Sequence, residues 1–197
     1  MSRYSRRAFL GALAATIPAS WLVRQAHAAS VNELATDAAT MRALGEAVLP
    51  TSLGAAGILT AVNGFQRWIA GYRANVELVH GYATSALQFS GPTPATRWAS
   101  QLAALDGLAT RAHGRTFAAL TPEQRRAIVQ GELDRLKADR ITSLARAPHV
   151  AIALLAHFYA SSAATDLCYE AVIARQNCRP LATSSRRPLP LAGARRA

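Results

Sequence analysis

The chain has 197 residues, about half of them hydrophobic, and a formal net charge of +11. That charge sits at the two ends: residues 1–28 hold four arginines and no acid, residues 175–197 hold six arginines and no acid, and the stretch between them balances at +1. A nucleic-acid footprint needs basic side chains gathered on a folded face with aromatics between them. The basic tail has no aromatic after Tyr169, so nucleic acid is not an expected partner.

Residues 1–28 read as an export signal. Arg3, Arg6 and Arg7 form a positive start, Ala8 to Val23 form an apolar stretch, and Ala26-His27-Ala28 places small residues at the two positions a signal peptidase reads. The apolar stretch falls short of the ~20 residues of a membrane-spanning helix, and Pro18 interrupts it, so a cleaved signal is expected rather than an anchor. Ser5, Arg6, Arg7, Phe9 and Leu10 resemble the twin-arginine export motif. Gly11, Thr16 and Ser20 dilute the apolar segment, and Arg24 precedes the cleavage site, in keeping with that route. An ordinary secretory signal that happens to hold two arginines is the alternative. The expected location is the periplasm or the periplasmic face of the inner membrane.

The remaining chain has the size of one domain. It is rich in alanine and leucine and poor in runs of valine, isoleucine and threonine, which favours helices over strands. A helical pattern begins at Val31, with Leu34, Ala38, Met41, Leu44, Ala47 and Val48 inward, and Pro50 ends it. After a loop at 51–57 the period resumes at Ile58 through Val62, Phe65, Ile69 and Tyr72, while Gly71 and Gly81 weaken a continuous helix to Leu87. Ser90 to Pro94 is a turn. Thr96 is placed to cap a helix from Arg97 to His113, with Trp98, Leu102, Leu105, Leu108 and Ala109 inward and Gly114 as its stop.

The clearest local signal is Thr121-Pro122-Glu123-Gln124. Threonine can cap the helix, proline suits the first helical position because it has no N–H to lose, and Gln124 can reach back to the cap. The helix that follows is expected to run to about Ile141 and to bury Ile128, Leu133 and Leu136. Val150 to Tyr159 is apolar nearly all round and so central to the core. A last helical stretch is expected after Thr165-Asp166. The predicted fold is all-α: a single-domain irregular helical bundle over 29–180, with 181–197 as a flexible basic tail.

The chain carries little that reads as chemistry. His80, His113, His149 and His157 make no i, i+4 pair, and no Cys-x-x-Cys occurs. His149 and His157, two turns apart, share one side of a helix, and satisfied structural histidines are the expectation there rather than a metal site. No Gly-x-Gly-x-x-Gly, Walker-type or Gly-x-Ser-x-Gly motif is present. His157, Ser161 and Asp166 fall close together without the spacing of a known triad, and Glu77 with His80 reads as a structural pair on a helix surface. No catalytic, cofactor-binding or metal-ligating residue is expected.

Cys168 and Cys178 are the only cysteines. In an oxidising compartment an even count favours a bridge. On one straight helix their Cα atoms would be ~15 Å apart at ~1.5 Å per residue, against ~4.4–6.8 Å for a disulfide. A bridge therefore requires the chain to reverse, with Gln176-Asn177 the natural place. Two free thiols are the alternative.

Four segments together resemble the gluconate 2-dehydrogenase subunit 3 family: the twin-arginine leader, "LGEAVLPTSLGAAGI", "HGRTFAALTPEQRRAIV" at 113–129 and "LLAHFYASSAATDLCYEA" at 154–171. The resemblance implies a small non-catalytic subunit of a membrane-associated flavin dehydrogenase. Such a subunit holds no cofactor itself. It accompanies a large FAD-dependent subunit of the glucose-methanol-choline type, in some systems with a multihaem cytochrome c that carries haem c, and supplies the address read by the twin-arginine translocase. Such a subunit should expose an apolar surface larger than a few hundred Å², and Trp68, Tyr72 and Tyr82 are candidates for part of it. The alternative is an independent periplasmic helical binding or scaffold module with its own small-molecule ligand in a deep apolar pocket.

Overall fold

The computed structural model describes residues 37–78, 87–173, 185–186 and 188–191. The expected signal (Ser5, Arg6, Arg7, Phe9, Leu10, Ala26, Ala28), Tyr82 and Cys178 lie outside the described residues. Among the described residues six helices build an all-α irregular bundle: α1 Ala38–Val48, α2 Gly54–Ala70, α3 Ala95–His113, α4 Pro122–Arg135, α5 Val150–Tyr159 and α6 Ser162–Cys168, with short 3-10 turns at Thr51–Leu53, Phe117–Ala119 and Leu144–Arg146.

The α1 helix buries Met41, Ala43, Leu44 and Ala47, whereas Ala38, expected inward, is exposed. Leu49 is extended (φ −83°, ψ 154°), as the residue before a proline must be, and the chain turns by 114° into α2. At the contact between the two helices stands Gly45. A Cβ there would lie 2.5 Å from Val62 Cγ2, so the close approach of α1 to α2 depends on the missing side chain. The buried stripe of α2 is Ile58, Val62, Phe65 and Ile69, as the periodicity predicts.

Beyond Ala70 the structure departs from a continuing helix. Residues 75–78 run antiparallel to 87–90, with Leu78 N–H donating to Gln88 O (2.7 Å) and Ser90 N–H to Val76 O (2.8 Å), and an isolated bridge joins Glu77 to Phe89. Ser90 holds this arm: its hydroxyl accepts from Val76 N–H and donates to Arg73 O, both at 2.8 Å. Asn75 takes a positive φ of 58°, which asparagine tolerates better than most residues. Glu77 therefore sits in an extended segment and not on a helix with His80, which lies outside the described residues.

Helix α3 starts at Ala95 with Pro94 at its cap, and the expected cap, Thr96, lies inside the helix. Gly114 stops it in the left-handed region (φ 66°). The Thr121–Gln124 capping box opens α4 as predicted, Gln124 N–H donating to Thr121 Oγ1 and Thr121 N–H to Gln124 Oε1. The helix ends at Arg135 rather than near Ile141. Lys137 adopts φ 51°, its N–H bonds Asp134 O, and Ala138 N–H bonds Leu133 O, a Schellman closure built on lysine in place of glycine. Only Val129 of α4 is buried, while Ile128, Leu133 and Leu136, expected to be, are half-buried.

Helix α5 is the centre of the core. Val150 to Leu154 and Phe158 are all buried, against Trp98, Phe65, Phe117 and Met41 from the other elements. Its entry is clamped by α3: Gln101 Nε2 donates to Pro148 O, Gln101 Oε1 accepts from Val150 N–H (both 2.8 Å), and Arg97 Nη2 donates to Ala147 O at 2.7 Å. Ser161 caps α6 through Ala164 N–H, so this helix begins before Thr165-Asp166, where it was expected. Part of the expected free tail folds back: Val172 N–H bonds Leu189 O and Leu191 N–H bonds Glu170 O. No single described helix is long and apolar enough to cross a membrane.

Candidate functional site

The helical period of α2 that buries Phe65 also carries Trp68 toward the surface, and Tyr72, two residues past the end of the helix, continues the row. Phe65 and Trp68 stack with centroids 6.3 Å apart, and Tyr72 meets Trp68 edge-on at 5.4 Å. Trp98 of α3 packs against both Phe65 (5.3 Å) and Trp68 (6.2 Å). The row thus runs from a fully buried pair, Phe65 and Trp98, outward through half-buried Trp68 and Tyr72. Offset and edge-to-face pairs of this kind add ~0.5–1.5 kcal/mol each beyond area burial.

The outer end of the row forms one wall of a cleft of about 820 Å³. The arm supplies Leu78, Phe89 and Pro92 to its lining, and Arg97 and Arg146 stand among the lining residues. Tyr72 fixes the arm to the helix, its hydroxyl donating to Gly91 O at 3.0 Å. Leu78 is 59% exposed and Phe89 51% exposed, so the lip is apolar and wet, and the charged side chains among its described lining residues are both arginines. Val76 and Leu87 beside it are also exposed. Trp68 and Tyr72, candidates from the sequence, lie together here. The arm that completes the surface escaped the sequence reading, because its two halves are too short and too mixed to show an alternating pattern.

The histidines and cysteine are placed elsewhere. His149 is the N-cap of α5 and 2% exposed, with Nδ1 accepting from Ala151 N–H at 3.2 Å. Burial lowers its pKa, while the Glu132 carboxylate opposes that shift and Arg135 adds to it. His157, two turns on, lies edge-to-face on Phe65 at 5.8 Å and is also lowered by burial. The two histidines therefore have different neighbours. Ser161 is engaged in capping α6, and Asp166 accepts from Ile173 N–H at 2.8 Å, so each of His157, Ser161 and Asp166 has a packing or capping role. Among the described residues no three His, Cys, Asp or Glu side chains gather as a metal site. Cys168 ends α6, exposed and without a disulfide partner among the described residues; its expected partner Cys178 lies outside them.

The sequence profile of the family described as gluconate 2-dehydrogenase subunit 3 matches residues 35–157, most of α1 through α5. The chain belongs to this family. No curated protein and no solved structure matches it.

Proposed function

We propose that this chain, a member of the gluconate 2-dehydrogenase subunit 3 family, is a non-catalytic small subunit. In this reading it binds and stabilises a large FAD-dependent dehydrogenase of the glucose-methanol-choline type and takes the folded complex out through the twin-arginine translocase. The observation that carries this reading is the family match across 35–157. An exposed apolar lip at Leu78 and Phe89 agrees with it, since an obligate partner would bury such a surface. The physical logic of the route is that flavin must be inserted into a folded protein before export, and twin-arginine transport accepts folded cargo. FAD then belongs to the large subunit, and haem c, where present, to a multihaem cytochrome that passes electrons on. The complex works in the periplasm or on the periplasmic face of the inner membrane.

The test is export in two cell fractions. With this chain absent, or carrying Arg6→Lys with Arg7→Lys, the large subunit should stay in the cytoplasm or lack activity. Normal secretion and activity of the large subunit in either case would overturn the reading. The cleft favours one rival, an independent binding module, because its volume of about 820 Å³ lies within the ~300–1,000 Å³ usual for small-molecule sites. That rival predicts a lone monomer in the periplasm with no flavoprotein attached.

A further inference from the structure

We infer that the cleft between Trp68, Tyr72 and the 87–94 arm docks an acidic segment of the large subunit, one that carries an aromatic or aliphatic anchor side chain. This inference rests on the reading above and goes beyond it by naming the surface and the chemistry it selects. Trp68 and Tyr72 line the cleft together with apolar Phe89 and Leu78. Both of the latter are more than half exposed, and an anchor inserted among these side chains would bury them all. Among the described lining residues the charged ones are Arg97 and Arg146, and none is a carboxylate. Arg97 is oriented, since its Nη2 donates to Ala147 O at 2.7 Å, so its charge is held at the cleft at little further entropic cost. Fixed positive charge at the rim of an apolar slot favours a partner that presents carboxylates beside its anchor, and disfavours one that presents cations.

Charge also selects among the possible occupants. The leader (1–28) and the tail (175–197) of this chain hold arginines and no acids, and a second mature copy brings a net charge of +7, the +11 of the full chain less the four leader arginines. Like charge argues against all three. An acidic stretch of a different protein is what remains.

The test uses the full mature chain and the purified flavin-containing large subunit, with Kd measured at low and high salt. Arg146→Glu and Phe89→Ser change exposed side chains and so leave the fold intact, which circular dichroism checks. Each should weaken the complex about tenfold or more, and Arg146→Glu should flatten the salt dependence. Arg126→Glu is the control. It lies in a separate groove with Val48, Leu133 and Leu155 and should bind as wild type. If wild type binds but Arg146→Glu and Phe89→Ser bind equally well, or if Arg126→Glu is the variant that weakens binding, the docking surface is overturned and the proposed function stands. No complex with wild type overturns both. Self-association of the isolated chain that Phe89→Ser abolishes would assign the surface to a second copy and overturn the inference.

Discussion

Arg125 of α4 reaches Glu46 of α1, with Nη1 2.7 Å from Oε2, and the same guanidinium donates to Phe117 O and Ala118 O. One side chain, 12% exposed, therefore ties together two helices and the turn between α3 and α4. Hydrogen bonds to a charged group are worth ~1.5–3 kcal/mol each when the alternative is a buried unpaired partner, though the half-exposed Glu46 lowers that here. Arg125→Met is expected to destabilise the protein by about 2–3 kcal/mol, a fall in Tm of about 2–4 °C per kcal/mol for a chain of this size. Arg42→Ala, which removes only the exposed i, i+4 pair with Glu46, should cost no more than ~0.5 kcal/mol. Thermal unfolding of both variants checks the contrast, and equal losses would show that the three-way tie is not what matters.

Two glycines should respond in opposite directions to the same change. At Gly45 a methyl group meets Val62 Cγ2 at 2.5 Å and Ile58 Cγ2 at 3.2 Å, so Gly45→Ala forces α1 away from α2 and is expected to cost ~1–3 kcal/mol. Gly131 of α4 faces open space, and Gly131→Ala should raise stability by ~0.4–1 kcal/mol through the unfolded chain. Denaturant midpoints at constant m-value measure both.

The capping box at the start of α4 gives a third prediction. Thr121→Ala removes the acceptor for Gln124 N–H and should destabilise by ~1 kcal/mol, whereas Thr121→Ser should retain most of the stability. Because α4 buries only Val129, amide exchange should rise first in this helix, before α5 is affected.

Acid should weaken the core through His149. Its Nδ1 accepts from Ala151 N–H and so must be unprotonated, and burial holds its pKa below the ordinary imidazole value. A lowered folded-state pKa means the unfolded chain takes up the proton first. The contribution is fully present above the unfolded value of ~6.5 and is lost as pH falls through the folded one. His157, lowered by burial as well, acts in the same direction. Tm should therefore fall between pH 7.5 and pH 5, and His149→Asn, which keeps a capping acceptor, should flatten part of that slope. An unchanged slope in the double variant His149→Asn, His157→Phe would assign the acid sensitivity to other groups.

Legibility in the sequence followed the length and regularity of each pattern. The stripe Ile58, Val62, Phe65, Ile69 and the Thr121 capping box are local, repeating signals, and both recur in the structure. The α4 end was misread because a lysine, Lys137, takes the left-handed position that sequence reading assigns to glycine. The arm formed by 75–78 and 87–90 was missed because its bonds join residues about ten to fifteen apart and depend on one serine hydroxyl. Trp68 and Tyr72 were readable as surface candidates, Tyr72 at the end of the α2 stripe and Trp68 beside it, but the cleft that they line with the arm was not.

Composition and period by themselves determined that this chain is helical, where most helices lie, and which family it resembles, since those properties depend on residues within a few turns of one another. Tertiary structure alone decided which aromatics close the core and which reach the surface. It also decided that Gln101 and Arg97 would seat α5, and that two arginines some fifty residues apart, Arg97 and Arg146, would share one apolar cleft. Those outcomes depend on the crossing of helices that are distant in sequence, and no local propensity encodes where such crossings fall.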